Sequence, residues 1–415
     1  MTSKDHSPHV LILGGGIGGL TLAQALRKKE IPFSIFERDS KQNSRSQGWS
    51  IGLHTILDDL KASISDDMPS LETVFHLHPL KFPSQLAVYQ AQDPGQRHGV
   101  TDDGSGKLLR ANRRRLREFL STGIQVEFGK QATGIQEDHH SVTVNFTDGT
   151  SANGDFLVGA DGVHSTVRRH LLYPNEDKLK RLPIATIIGE VTLENEDMER
   201  QLELGHSCYI VRADNNITGS GDLVMFVGVN DILPDAKSGL YYWFLIWPDE
   251  AATQGSHWTA TASQQELLSA ARAMTKNFAP DFKAIIEKTS VEGMRAPPLV
   301  MHDVELSPED FSSGRVALLG DAAHCMTPFS GQGGVTAIRD ALDLAQALSR
   351  VAEDGLRGAD LEAVMTKYRD TMLERGVRAV QLSRDAITKS NLVREGAPFA
   401  YGQYSKPIPL ERIRL

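Results

Sequence analysis

His9-Val10-Leu11-Ile12-Leu13-Gly14-Gly15-Gly16-Ile17-Gly18-Gly19-Leu20 is the stretch on which the fold is decided. His9–Leu13 is apolar and strand-like, and the glycine run follows without a break. Leu22, Ala25 and Leu26 then mark one face of a helix that ends near Lys29. After Ile31-Pro32, a second strand, Phe33–Phe36, ends at Glu37. Strand, glycine turn, helix, strand and acid, in that order, make a dinucleotide-binding unit. Each part has a physical task. Gly14 permits the tight turn, Gly16 lets a pyrophosphate approach the backbone, and Gly19 lets the helix pack on the strand. The helix N-terminus offers free N–H groups to phosphate. Glu37, 23 residues after Gly14, can accept hydrogen bonds from ribose hydroxyls.

Two later motifs extend the pattern. Asp155–Val158 reads as a buried strand that ends in Gly159-Ala160-Asp161-Gly162, and Val163–Arg168 opens a helix. Val316–Leu319 is another short buried strand. It leads through Gly320-Asp321-Ala322-Ala323-His324 and Pro328 to Gly331-Gln332-Gly333-Gly334. A helix follows, with an apolar stripe at Ile338, Ala341, Leu342, Ala345 and Leu348. A glycine-rich loop thus meets a helix N-terminus a second time, where negative charge is stabilised. The anionic edge of a reduced flavin suits that position.

These three ordered motifs resemble the single-component, FAD-dependent aromatic hydroxylases (group A flavin monooxygenases), a family that includes salicylate hydroxylase-like and fungal biosynthetic enzymes. The resemblance spans nearly the first 340 residues. It implies an α/β fold: a Rossmann-like FAD-binding domain, an inserted β-sheet substrate domain and a C-terminal helical segment. The expected partition is 1–75, 101–172 and 292–350 for FAD, 76–100 and 173–291 for substrate, and 351–415 for the helical segment and tail. It implies FAD as cofactor, NADPH or NADH as co-substrate, and O₂. A flavin C4a-hydroperoxide would transfer oxygen to an apolar aromatic or polycyclic small molecule, by hydroxylation or epoxidation, in secondary metabolism. Glu37, with Arg38 beside it, would hold the adenosine ribose and Asp321 the ribityl chain. Gly320, Pro328, Gly331, Gly333 and Gly334 would shape the flavin loop. Asp161 and Gly162 would serve both FAD and NAD(P)H, with Arg168 near the docked coenzyme. Arg113, in an R-x-x-L-x-x-x-L helix with Leu116 and Leu120, would contact FAD, and Arg45 matches a second flavin-side Arg. The chain departs from the family at Val335, where many members carry Asn.

From Leu172 to about Val291 strand-like runs dominate: Ile184–Leu193, Cys208–Arg212, Leu223–Val229 and Leu240–Trp247. Several are apolar in both phases and must be covered on both faces. A helical segment, Gln264–Lys288, would cover one face, and the flavin lobe and substrate the other. Trp49, Tyr209, Phe226, Tyr241, Trp243 and Trp247 are candidate pocket residues, each with ordinary core packing as its competing reading. His54 is a candidate catalytic base, and His324 reads as a packing residue of its motif. The chain is mostly helical again from about Leu356 to Ile387, and Gly396–Leu415 reads as an extended flap.

Bulk properties narrow the rest. A net charge of −9 over 415 residues disfavours nucleic-acid partners. Arg110, Arg113, Arg114, Arg115 and Arg117 form a local basic patch, expected to be mostly the solvated face of a helix. Two cysteines exclude a disulfide framework and a Cys-rich metal site, and no metal constellation is expected. No run of about 18 apolar residues exists, so no transmembrane segment is expected and the cytoplasm is the expected compartment. A second GxGxxG and a Cys-x-x-Cys are absent, which argues against two-dinucleotide-domain enzymes and disulfide reductases. A flavin dehydrogenase or oxidase, or a flavin-binding sensor, remain the alternatives.

Overall fold

The computed structural model describes residues 7–44, 48–105, 109–219, 221–311, 314–388, 406–408 and 412–415. The opening stretch forms a strand at Val10–Leu13 and a helix at Ile17–Lys28, and Phe33–Glu37 is the second strand. Five parallel strands build the central sheet in the order Val316–Leu318, Phe156–Gly159, Val10–Leu13, Phe33–Glu37, Val126–Phe128. All four residues of Val10–Leu13 are buried, as expected of a parallel strand covered on both faces. The three motif turns therefore leave the sheet from three adjacent strands, at the same edge. Carboxyl ends of neighbouring parallel strands are where α/β folds place ligands.

A second sheet of seven strands runs Ile184–Glu194, Ser238–Pro248, Leu223–Ile232, Cys208–Ala213, Gln85–Gln90, Asp93–Thr101, Lys406–Pro407. Both of its faces are apolar. One carries Tyr209, Val211, Met225, Val227, Tyr241, Trp243 and Leu245. It packs on the helices Gln264–Met274 and Pro280–Lys288. These replace the single helical segment expected there. The break falls just before Pro280, whose ring fits a first helical turn but not an interior. The other face carries Ile188, Phe226, Tyr242, Phe244 and Ile246. Trp49 and Phe329 from the flavin-side loops pack against it.

The C-terminal helix, Gly358–Thr388, runs behind the motif loops. Of the expected flap, the described residues form a strap: Lys406 and Pro407 pair with Gly99 and His98, Arg97 donates to the Ile408 carbonyl, and Ile413 is buried in the substrate-sheet core. No described helix is long and apolar enough to cross a membrane.

Candidate active site

Gly14 has φ +114°, and a Cβ there would lie 2.2 Å from the Ala160 carbonyl oxygen. Only glycine lets the first and second motif turns meet. A Cβ on Gly19 would sit 2.0 Å from the Gly14 oxygen, so the helix start is pressed onto the strand end. Gly16 is different: a Cβ there would meet nothing within 4 Å. Its face is open space at a helix N-terminus, which is what a bound pyrophosphate requires. Glu37 is nearly buried. The Gly15 N–H donates to its Oε2 at 2.9 Å and the Asp39 N–H to its Oε1 at 3.0 Å. Both bonds fix the carboxylate beside the glycine turn while leaving acceptor sites for ribose hydroxyls. Arg38 is exposed.

Asp161 caps the next helix. The Ser165 hydroxyl donates to one carboxylate oxygen at 2.5 Å and the Thr166 N–H to the other at 2.6 Å. Burial pushes its pKa up, against the lowering effect of those bonds. Gly162 has φ +80° and faces open space. Arg168 is fully buried and fully committed. It holds Asp177 through two nitrogens and donates to the carbonyls of Ala322 and Val163. It ties the second motif to the third and is closed off from solvent.

At the third motif Gly320 takes φ +59° and Asp321 begins a short helix. The Asp321 carboxylate accepts no hydrogen bond among the described residues. A half-exposed, unmatched acceptor next to the glycine turns fits the hydroxyl-rich ribityl chain of FAD. Behind it lies a buried network. Asp340 accepts from the Gly320 N–H at 3.0 Å, from His324 Nε2 at 2.6 Å, and from Arg375 Nη2 at 2.9 Å. Asp340 holds the His324 pKa above its ordinary value against the opposing effect of burial. His324 is thus a support of the Gly320-Asp321 turn. Pro328 opens a single 3₁₀ turn and is exposed, and Gly331, at φ +65°, closes it. A Cβ on Gly333 would touch only Met326, at 4.0 Å, whereas one on Gly334 would sit 2.4 Å from Ile51. Gln332 reaches His54 Nε2 at 3.2 Å. His54 is almost completely buried, and desolvation lowers its pKa to about 4, so the ring is neutral near neutrality. It underpins the loop.

The basic patch is largely not solvated, contrary to expectation. Only Arg114 is exposed. Arg117 Nε donates to the Gly15 carbonyl at 3.0 Å, a contact inside the glycine turn that the sequence reading missed. Arg113 Nη1 lies 3.2 Å from where a Gly48 Cβ would be, against the segment that leads to Trp49. Arg110 donates to the Ser207 carbonyl at 2.9 Å and the Tyr242 hydroxyl at 2.5 Å. Asn112 Nδ2 donates to the Asn230 carbonyl, Ser50 Oγ to the Val229 carbonyl, and Arg115 pairs with Asp231 at 2.7 Å. These contacts clasp a β-bulge in the substrate sheet to the flavin side. Arg45 lies outside the described residues.

Of the pocket candidates, Trp49 and Phe226 are on the flavin-facing side of the substrate sheet. Tyr209 and Trp243 are not: they lie in the core under the helices, bonded to Gln201 and Thr289 respectively. Tyr241 has its ring in the same core. Trp247 is stacked on Trp258 at the sheet's far end. The aromatic wall toward the flavin loops is Tyr242 and Phe244, one residue out of phase with the expected pair. Trp49 stacks on Tyr242 at 5.2 Å and meets Phe244 edge-on at 4.9 Å. Among the described residues no group of side chains is arranged to hold a metal ion.

Three adjacent parallel strands that end in glycine-rich turns, with a carboxylate at each turn, define a dinucleotide-binding fold. The protein family described as FAD binding domain matches residues 8–383. The chain is 43% identical to the FAD-dependent monooxygenase thnD of Trichoderma harzianum, over 92% of this chain and 94% of that one. In fold it is similar to a FAD-containing monooxygenase from Photorhabdus luminescens described as putative (TM-score 0.72, 23% identity, 93% and 100% of the two chains). It is likewise similar to a salicylate hydroxylase in complex with substrate (TM-score 0.68, 19% identity, 94% and 91%). The chain belongs to this FAD-binding family and is an FAD-dependent monooxygenase.

Proposed function

We propose that the protein uses NAD(P)H and O₂ to hydroxylate or epoxidise an apolar aromatic or polycyclic small molecule, in the cytoplasm and as a step of fungal secondary metabolism. The observation that carries this reading is the apolar wall of Phe226, Tyr242, Phe244 and Trp49 set opposite the Gly320–Gly334 loops. Bound FAD, once reduced, supplies the activation of O₂, which no protein side chain need perform. The residues do the rest. The Gly14–Gly19 turn and Glu37 hold the adenosine half, Asp321 holds the ribityl hydroxyls, and the Gly331–Gly334 helix start favours negative charge at the ring edge. The apolar wall keeps bulk water from the reacting atoms. NAD(P)H docks transiently at the open side of the Asp161-Gly162 turn. The FAD-binding part is discontinuous, 1–75, 101–172 and 292–350, the substrate-binding part is 76–100 and 173–291, and 351–415 is the C-terminal helical segment and tail.

The relative thnD supports a fungal biosynthetic setting, and the buried free thiols Cys208 and Cys325 fit a reducing compartment. The test is NAD(P)H oxidation by the FAD-loaded enzyme against a panel of phenols and polycyclic aromatics under ¹⁸O₂. A substrate should accelerate NAD(P)H consumption and leave with one labelled oxygen atom. Product oxygen derived only from water, or equal conversion without O₂, overturns the reading in favour of a dehydrogenase.

A further inference from the structure

The face of the substrate sheet that meets the flavin-side loops is not covered evenly. Ile188, Tyr242, Phe244 and Ile246 are buried, whereas Ile210, Val224 and Phe226 are half-exposed and adjoin one another across two paired strands. Arg212 lies among them. It alternates with Cys208 and Ile210 along its strand, so it shares their face, and its strand partner is Val224. Val224 and Phe226 pack in one cluster with Phe329, which belongs to the Pro328–Ser330 turn of the flavin loop. The C-terminal helix closes the same corner. Ser383 bonds to Thr327, just before that turn, and three residues on, the Ala386 carbonyl lies 3.4 Å from Arg212 Nη2. A guanidinium thus stands where the wall, the flavin loop and the C-terminal helix converge.

Its charge is poorly matched. The contact with Ala386 is a long one, beyond the usual N–H···O range. Arg212 Nε is buried without a partner, and the side chain forms no ion pair among the described residues. Burial holds its pKa below the ordinary guanidinium value, against the opposing effect of Asp222, an exposed residue just before the next strand. Arg110, the other guanidinium on this wall, is spent on Ser207, Ser50 and Tyr242. A helix C-terminus favours a nearby cation, but one long bond to a carbonyl leaves most of a planar fork that suits two oxygens unused. A largely buried charge without a matching anion is costly, and a ligand that supplies the anion removes that cost.

We propose that Arg212 is the specificity-determining residue of the substrate site and takes an anionic oxygen of the substrate, a carboxylate or a phenolate, while the ring lies along Ile210, Val224 and Phe226. The substrate class is then an aromatic or polycyclic compound that carries one ionised oxygen. This rests on the reading of the wall as the substrate face and adds to it the group by which the substrate is held.

The test is isothermal titration of the full, FAD-loaded chain without nicotinamide coenzyme, at a pH where both acids used are ionised. One arm compares 2-naphthoate with 2-naphthamide, the other 1-nitro-2-naphtholate with its methyl ether. The wild type should bind the anion of at least one pair about 10-fold more tightly than its neutral partner, the size of one hydrogen bond to a charged group. A preference in the first arm assigns a carboxylate, and one in the second a phenolate. Arg212→Gln should abolish the preference and leave FAD content and the affinity for the neutral partner unchanged. Arg212→Lys keeps the charge without the fork and should retain only part of the preference. The absence of any anion preference in the wild type overturns the anchor without a variant having to fold, and so does a preference that Arg212→Gln retains in full. Labelled oxygen in the ¹⁸O₂ experiment with no anion preference would sink the anchor alone. Anion preference without labelled oxygen would instead sink the monooxygenase reading and leave the anchor standing.

Discussion

Gly16 and Asp321 are the two positions at which a single substitution separates cofactor loading from folding. Nothing lies within 4 Å of a Cβ at Gly16, so a side chain there, as in Gly16→Val, enters the open space assigned to pyrophosphate. The variant should fold and purify colourless, and full flavin occupancy would refute that placement. Asp321→Ala removes a carboxylate that accepts no hydrogen bond among the described residues, so its folding cost should be small, while FAD affinity falls by about 1–3 kcal/mol. Equilibrium dialysis of the flavin measures it. His54 gives a pH prediction. Its pKa falls from 6.5 to about 4 on folding, so the unfolded chain binds the extra proton first. The stability that a neutral His54 provides is therefore present above pH 6.5 and is lost as pH falls toward 4. Thermal melts across that window should decline, and His54→Gln should flatten part of the decline. Arg117 shows what was and was not legible at this scale. Arg113, Leu116, Arg117 and Leu120 follow the i, i+3, i+4, i+7 spacing of one helix face. Leu116 and Leu120 mark that face as buried, so Arg117 had to be buried too and to find an acceptor. The spacing held that information, and the charge of the patch obscured it.

Elements repeat the lesson with a different period. Strand Ser238–Pro248 is apolar in both phases, so nothing in its composition tells which face the flavin side takes. Tyr241 and Trp243 were the candidates from the sequence; the structure puts Tyr242 and Phe244 on that face instead. The Rossmann strands were legible because glycine turns punctuate them and their neighbours are sequential or motif-marked. The C-terminal helix was legible as a helix but not as a support. Tyr368 donates to the Leu318 carbonyl, Arg375 pairs with Asp340 and Asp343, and Ser383 bonds to Thr327, so the helix touches the third motif before, behind and after its turn. Arg375→Ala should cost about 1–3 kcal/mol of stability and, by loosening the Gly320 turn, speed FAD release. Arg375→Lys should recover only part of either, because an ammonium cannot reproduce the forked contact. Stopped-flow flavin release that is unchanged in Arg375→Ala would show that the network supports the helix alone.

On the scale of the whole molecule, the two largest sheets among the described residues meet where the flavin-side loops pack on the substrate sheet, and a strap closes the free edge of the second. Lys406-Pro407 covers the outer edge of Asp93–Thr101, and Ile413 is buried near Glu199 and Glu203, whose carboxylates accept the Leu415 and Ile413 N–H groups. Removing residues 406–415 should uncover an edge strand and an apolar socket. The expected result is a lower melting temperature and concentration-dependent association in light scattering, with the flavin spectrum retained. A truncated chain that stays monomeric with an unchanged melting point would reduce the strap to a surface tail. That closure was out of reach of sequence reading, since a proline-rich tail carries no mark of the edge it will cover.

The four tryptophans are spread over this architecture in a way that makes the protein its own optical reporter. Trp243 is sealed in a dry core and bonded to a threonine hydroxyl, so it should emit at the blue end of the indole range. Trp247 and Trp258 form a stacked pair at a partly wet margin. Trp49 alone stands on the cofactor side, bonded to a carboxylate and stacked on a phenol. Light absorbed by the protein should therefore carry two separable signals, a core emission that tracks unfolding and a Trp49 emission that tracks occupancy, and Trp49→Phe should silence the second without disturbing the first.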